Sequence, residues 1–116
     1  MILTDIEAKL TEIDQNVYYG IVDESRKDTV WDYIVFNRTG IKHSLNKTSA
    51  SDRFDVHIIR ENYVPDGLED VVIESLSELP GVRMSGEDTT FAYVQKPSTN
   101  IVVEMMTIHF LRARKY

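Results

Sequence analysis

The chain reads as a two-layer α+β domain, a mostly antiparallel sheet of five or six strands carrying two amphipathic helices. Three observations predict it. Apolar residues recur at three- and four-residue steps in two stretches, about 4–14 and 65–79. β-Branched and aromatic runs occupy most of the rest, joined by connections too short for crossover helices, which favours antiparallel pairing. Two helices with one apolar face each must bury those faces, and a sheet is the partner at hand.

Taken in order, Thr4-Asp5-Ile6-Glu7 has the form of a capping box. Leu3, Ile6, Leu10 and Ile13 then share one face, predicting a helix over 4–14. Val17 to Val22 predicts a short strand and Asp23 to Thr29 a charged loop. Val30 to Arg38 predicts a strand that is apolar on both sides of Ile34, hence covered on both faces. Thr39 to Ser51 is polar and without periodicity, so it reads as a long hairpin loop. Loops of that length in compact domains are commonly functional. From Asp52 to Arg60 the apolar Phe54, Val56 and Ile58 alternate with Arg53, Asp55 and His57, the pattern of a half-buried strand.

Pro65 suits the first turn of a second helix, whose stripe is Leu68, Val71, Val72, Leu76 and Leu79 and which Pro80-Gly81 ends at about residue 79. Val82 to Met84 predicts a short strand and Phe91 to Gln95 another. Ile101 to Ala113 predicts a long closing strand, apolar on both faces, whose second face would need a neighbouring copy to cover it.

Length and composition bound the function. At 116 residues the chain is expected to form one domain spanning 1–116. Nineteen acids against 13 bases give a net charge of -6, a poor footprint for a protein that grips nucleic acid. With no cysteine there is no thiolate chemistry and no disulfide. The first residues lack the basic and apolar segments of a secretion signal, and no apolar run approaches the ~20 residues that cross a bilayer.

Candidate chemistry is sparse. Asp55 and His57 stand two apart on one strand face, a spacing that can supply two metal ligands, but no third ligand is assignable. The same residues also read as an exposed face of Arg53, Asp55, His57 and Glu61 making cross-strand pairs. His109 reads as a partly buried sheet histidine or an interface residue. The phosphate cradle, the nucleophile elbow and the dinucleotide fingerprint are all missing. Asp66, Asp70, Glu74 and Glu78 recur every four residues, the polar face of the second helix. No catalytic, cofactor-binding or metal residue is therefore assigned, and a non-enzymatic role is expected.

Charge is unevenly placed. Glu61 to Glu78 holds six acids and no base, whereas Arg38 to Lys47 holds three bases and no acid, and Arg112, Arg114 and Lys115 add three more. Separate acidic and basic patches suit head-to-tail pairing of copies. The candidate interaction residues are Lys42, His43 and Lys47 of the polar stretch, Arg53, Asp55 and His57 of the alternating strand, and Arg112 and Arg114 near the end.

The whole-chain pattern resembles the tail-terminator (tail-completion, head–tail joining) proteins of long-tailed bacteriophages. The landmarks are the first helix, Val17-Tyr-Tyr-Gly20, Trp31-Asp-Tyr-Ile-Val-Phe36, the polar stretch, Arg53-Phe-Asp-Val-His57, the helix from Leu68 to Leu79 and the strand Val102-Val-Glu-Met-Met-Thr-Ile-His-Phe110. The stretch 84–100 departs from the pattern by having room for an extra hairpin.

The resemblance implies a homo-hexameric ring in the neck of the virion, made in the host cytoplasm, without cofactor or membrane. It would bind the major tail-tube protein, end tube polymerisation and present a surface to the head connector or completion protein. DNA would pass through the lumen unbound, which an acidic lining favours. The polar stretch 40–51 is the expected docking element. The alternatives are another neck or tail component, such as a head-completion or tube-like protein, a small metal-dependent nuclease using Asp55 and His57, and a cellular binding module without a ring.

Overall fold

A computed structural model of the protein describes residues 2–20, 31–45 and 49–115. The elements are α1 (Ile2–Thr11), β1 (Val17–Tyr19), β2 (Tyr33–His43), β3 (Ser49–Glu61), α2 (Leu68–Ser77), β4 (Val82–Met84), β5 (Thr90–Gln95) and β6 (Val102–Lys115). The fold is α+β, as expected from the sequence: the described residues form one six-stranded sheet and two helices. All strand pairs are antiparallel except β1 with β2, which is parallel.

The sheet runs β1-β2-β3-β6 and then divides. β4 pairs the far end of β6 around Phe110, and β5 pairs its beginning from Val102 to Thr107. One face carries both helices. Ile6 and Leu10 of α1 and Val72 and Leu76 of α2 bury against Ile34, Phe36, Phe54, Val56, Ile58, Met106, Ile108 and Phe110. Burying side chains of this size contributes roughly 1.5–3 kcal/mol each, which makes this layer the main stabilising contact. Phe54 and Phe110 stack across neighbouring strands, centroids 5.3 Å apart.

Both helices are shorter than the sequence suggests. Thr4 and Glu7 lie inside α1, so the capping box does not form; the helix closes where the N–H groups of Ile13 and Asp14 both donate to Leu10 O. Pro65 and Asp66 stand outside α2, which begins after Gly67, the residue able to take φ 90° there.

The polar stretch 39–51 is the main correction. It is not a loop. β2 continues to His43 and β3 begins at Ser49, with Ser44 N–H donating to Ser49 O at 3.0 Å. A bulge between Arg38 and Gly40 shifts the register by one, and β6 pairs alongside as far as Ser49–Lys115. These residues pair through the backbone beyond the helices, so most are solvated and show no apolar alternation. The outcome is a three-stranded arm at one end of a molecule measuring 53 × 28 × 24 Å.

A second correction concerns β6. Its helix-free face is covered within the chain: Val103 buries with Val35 and Ile59, packed by Tyr18, Trp31, Tyr33 and Met105, while Thr107 and Leu111 are also buried. Exposed apolar surface lies one strand over. Every residue of β5 is exposed, with Phe91, Tyr93 and Val94 at 50%, 61% and 55%.

The expected charged loop 23–29, and Ile21, Val22 and Val30 of the neighbouring strand predictions, lie outside the described residues.

Candidate functional site

The predicted interaction residues that are described fall into two groups, and a third surface joins them. The first occupies the helix-free face. Alternation places Arg53, Asp55 and His57 on it, and the register sets Asn37 and His109 on either side of Asp55, with Val35 and Thr107 on either side of His57. The His57 ring spans three strands: Nε2 lies 2.7 Å from Asn37 Oδ1 and Nδ1 2.8 Å from Thr107 Oγ1. The neutral ring satisfies both contacts, donating from Nε2 to the amide oxygen and accepting the hydroxyl proton at Nδ1. Burial pushes the His57 pKa below its ordinary value; Asp55 pulls it back up and His109 lowers it further.

One register step away, His109 Nδ1 lies 2.6 Å from Asp55 Oδ1 and 4.0 Å from Glu87 Oε2. Arg53 reaches Glu87 at 3.4 Å, and Ser85 Oγ donates to the same carboxylate. Asp55 and His57 therefore serve different partners and do not converge on a common point. Among the described residues no three His, Asp or Glu side chains are grouped so as to hold a metal ion. What this face forms is a cross-strand polar seam that fixes the register of β2, β3 and β6.

The second group lies in the arm. Lys42 and His43 are exposed at the end of β2, and Lys47 lies outside the described residues. Arg112 and Arg114 stand beside Asp52, at 3.8 and 3.3 Å. The described arm (38–45, 49–53 and 111–114) holds Arg38, Lys42, Arg53, Arg112 and Arg114 against one acid, Asp52. Leu45, at the tip, is fully exposed and Ile41 half exposed. The basic stretch and the basic C-terminal residues, separate in sequence, thus become one surface.

The third surface was missed from sequence. Between the loop leading to α2 and strand β5 runs a groove of about 360 Å³, with Tyr63, Phe91 and Met106 as apolar lining and Asp66, Glu69 and Glu104 as carboxylates. Glu104 is held in place by the Val64 N–H at 2.8 Å. Its hydrogen bond with the Tyr93 hydroxyl raises the pKa of that phenol. Beyond the groove, Lys96 donates to Glu61 at 2.6 Å, which with the Trp31 N–H holds the Glu61 carboxyl below its usual range. The signal that could have located the groove is the lack of any base between Glu61 and Val82; which strand faces that segment was not legible.

No family model matches the chain, and no curated protein matches it either.

Proposed function

We propose that the protein is a structural assembly protein that forms a homo-hexameric ring on the end of a phage tail tube, ends tube growth and offers the joining surface to the head. The observation that carries the reading is β5. It is a sheet-edge strand with Phe91, Tyr93 and Val94 half exposed or more, beside Val102 and Tyr63, which are exposed as well. Natural proteins rarely leave an apolar edge strand open, because its outward N–H and C=O groups invite another chain. A ring covers such an edge on every subunit. The sequence landmarks that resemble tail terminators support the same reading, as does the excess of acid, which suits a lumen that DNA crosses without adhering.

The roles within the ring are distinct. The polar seam on the helix-free face keeps the central strands in register. The arm projects past the helices and is the element suited to reaching a neighbour or the tube. The partners are copies of the chain, the major tail-tube protein and the head connector.

The test uses purified tail-tube protein polymerising with and without this chain. The reading expects shorter tubes, each ending in a ring, as the chain is added. Tubes of unchanged length and bare ends would overturn it. Rings that bind head connectors but ignore tubes would assign the chain to another neck position instead.

A further inference from the structure

The arm and the groove carry opposite chemistry and lie at opposite ends of the sheet. The groove offers Tyr63, Phe91 and Met106 beside the carboxylates of Asp66, Glu69 and Glu104, and among the described residues no basic one lines it. The arm offers exposed Leu45 and Ile41 set among bases. Arg112 and Arg114 both stand beside the carboxylate of Asp52.

Geometry forbids the two from meeting within one chain. β6 runs from Glu104 beside the groove to Arg114 in the arm, ten residues later. At a strand rise of about 3.3 Å per residue the separation is roughly 33 Å along one sheet. Both features belong to that sheet, so the arm cannot fold back to the groove without breaking the β3–β6 ladder, which pairs from Ser49–Lys115 to Glu61–Val103.

We propose that the arm of one copy seats in the groove of the next, Leu45 and Ile41 against Tyr63, Phe91 and Met106, and the arm's bases against Asp66, Glu69 and Glu104. The contact joins two different surfaces, so it is heterologous and propagates until a rotation closes it into a ring. Charge sets the encounter and the orientation, and the apolar tip supplies the buried contact. The proposal deepens the ring reading by naming the contact between subunits.

The experiment is sedimentation velocity on the full chain over a concentration series, for three proteins. One is wild type. The second reverses the arm (Lys42→Glu with Leu45→Asp), and the third reverses the groove (Asp66→Lys with Glu69→Lys). All four positions are exposed or partly exposed, and circular dichroism checks that both variants fold.

Wild type is expected to gain mass with concentration, and to associate at least ~10-fold more weakly when salt is raised to about 0.5 M. Each variant alone is expected to stay single. An equimolar mixture of the two is expected to associate again, because the reversed arm suits the reversed groove and the unaltered pair is intact. A variant that associates as tightly as wild type, a mixture that stays single, or a wild type that never gains mass overturns the proposal. Tube capping in the same preparations separates the two claims. If the arm variant still caps tubes, the docking contact is wrong and the ring reading stands. If wild type associates as described but ignores tubes, the docking contact stands and the tail-capping reading falls.

Discussion

His57 Nδ1 lies 2.8 Å from the Thr107 hydroxyl, across the central strand pair and inside a partly buried polar seam. The ring is held neutral there, its pKa below the ordinary 6.5, chiefly because burial disfavours the charge. The unfolded chain therefore binds a proton that the folded chain refuses as pH falls below about 6.5. Stability is full above that value, declines below it, and levels off once pH passes the folded-state pKa. Thermal unfolding of wild type and His57→Gln across pH 7.5 to 5 is the check, as an order-of-magnitude window around that titration. At the upper end the variant is expected to be less stable by about 1 kcal/mol, from the altered hydrogen bonds. The gap should narrow toward the acid end, since only wild type loses the His57 contribution. A gap that stays constant with pH would show that His57 is not held neutral.

Gly81 and Ala113 make a second such constraint. Gly81 takes φ 78°, and a methyl group there would sit 2.7 Å from the Ala113 carbonyl oxygen. Backbone cannot move aside as a side chain can. Gly81→Ala is expected to cost about 2–4 kcal/mol, the left-handed penalty plus the clash. Gly86 is the comparison: it has φ 92° but open space around it. Gly86→Ala should cost only the conformational part, roughly 1 kcal/mol. Urea denaturation of both variants measures the difference, and equal losses would remove the clash from the explanation.

The Phe54–Phe110 stack joins the two central strands beneath the helices. Phe110→Ala is expected to destabilise by about 3–5 kcal/mol and Phe110→Leu by much less, because the first leaves a cavity in a fully buried site. Denaturant midpoints at constant m-value would establish this. A loss near 1 kcal/mol or less for the alanine variant would mean that the site collapses around the gap.

The hairpin tip allows a cleaner separation of fold from docking than removal of the whole polar stretch. Deleting residues 42–50 would take away the end of β2 and the first residues of β3, including the partners of Arg114 and Lys115 on β6. Replacing residues 45–48 with Asn-Gly instead closes Ser44 onto Ser49 through a two-residue turn. The shortened protein is expected to melt within a few degrees of wild type, roughly the effect of less than 1 kcal/mol, yet to associate more weakly. A large drop in melting temperature would show that the tip supports the fold itself.

Much of the fold was legible because it depends on local patterns. The alternation of Phe54, Val56 and Ile58 with Arg53, Asp55 and His57 identified β3, and the stripe through Leu68, Val72 and Leu76 identified α2. The arm was not legible, since Gly40 to His43 and Ser49 to Ser51 pair by backbone beyond the helices and carry no apolar period. The site was only partly so. Alternation put Asp55 and His57 on one face, but their separate partners, His109 and Thr107, follow from the pairing of β3 with β6. The groove needed the same long-range information, because Asp66 and Glu69 meet Phe91 and Glu104 only after β5 folds against β6.

The central claim is that copies of this chain cover one another's open edge in a ring that ends a tail tube. Its most direct measurement is the mass of the purified protein in solution, alone and with purified tail tubes, with the tube ends imaged. A six-subunit ring seated on the tube end is the expected result. A chain that remains single at high concentration and leaves the tubes bare would contradict it.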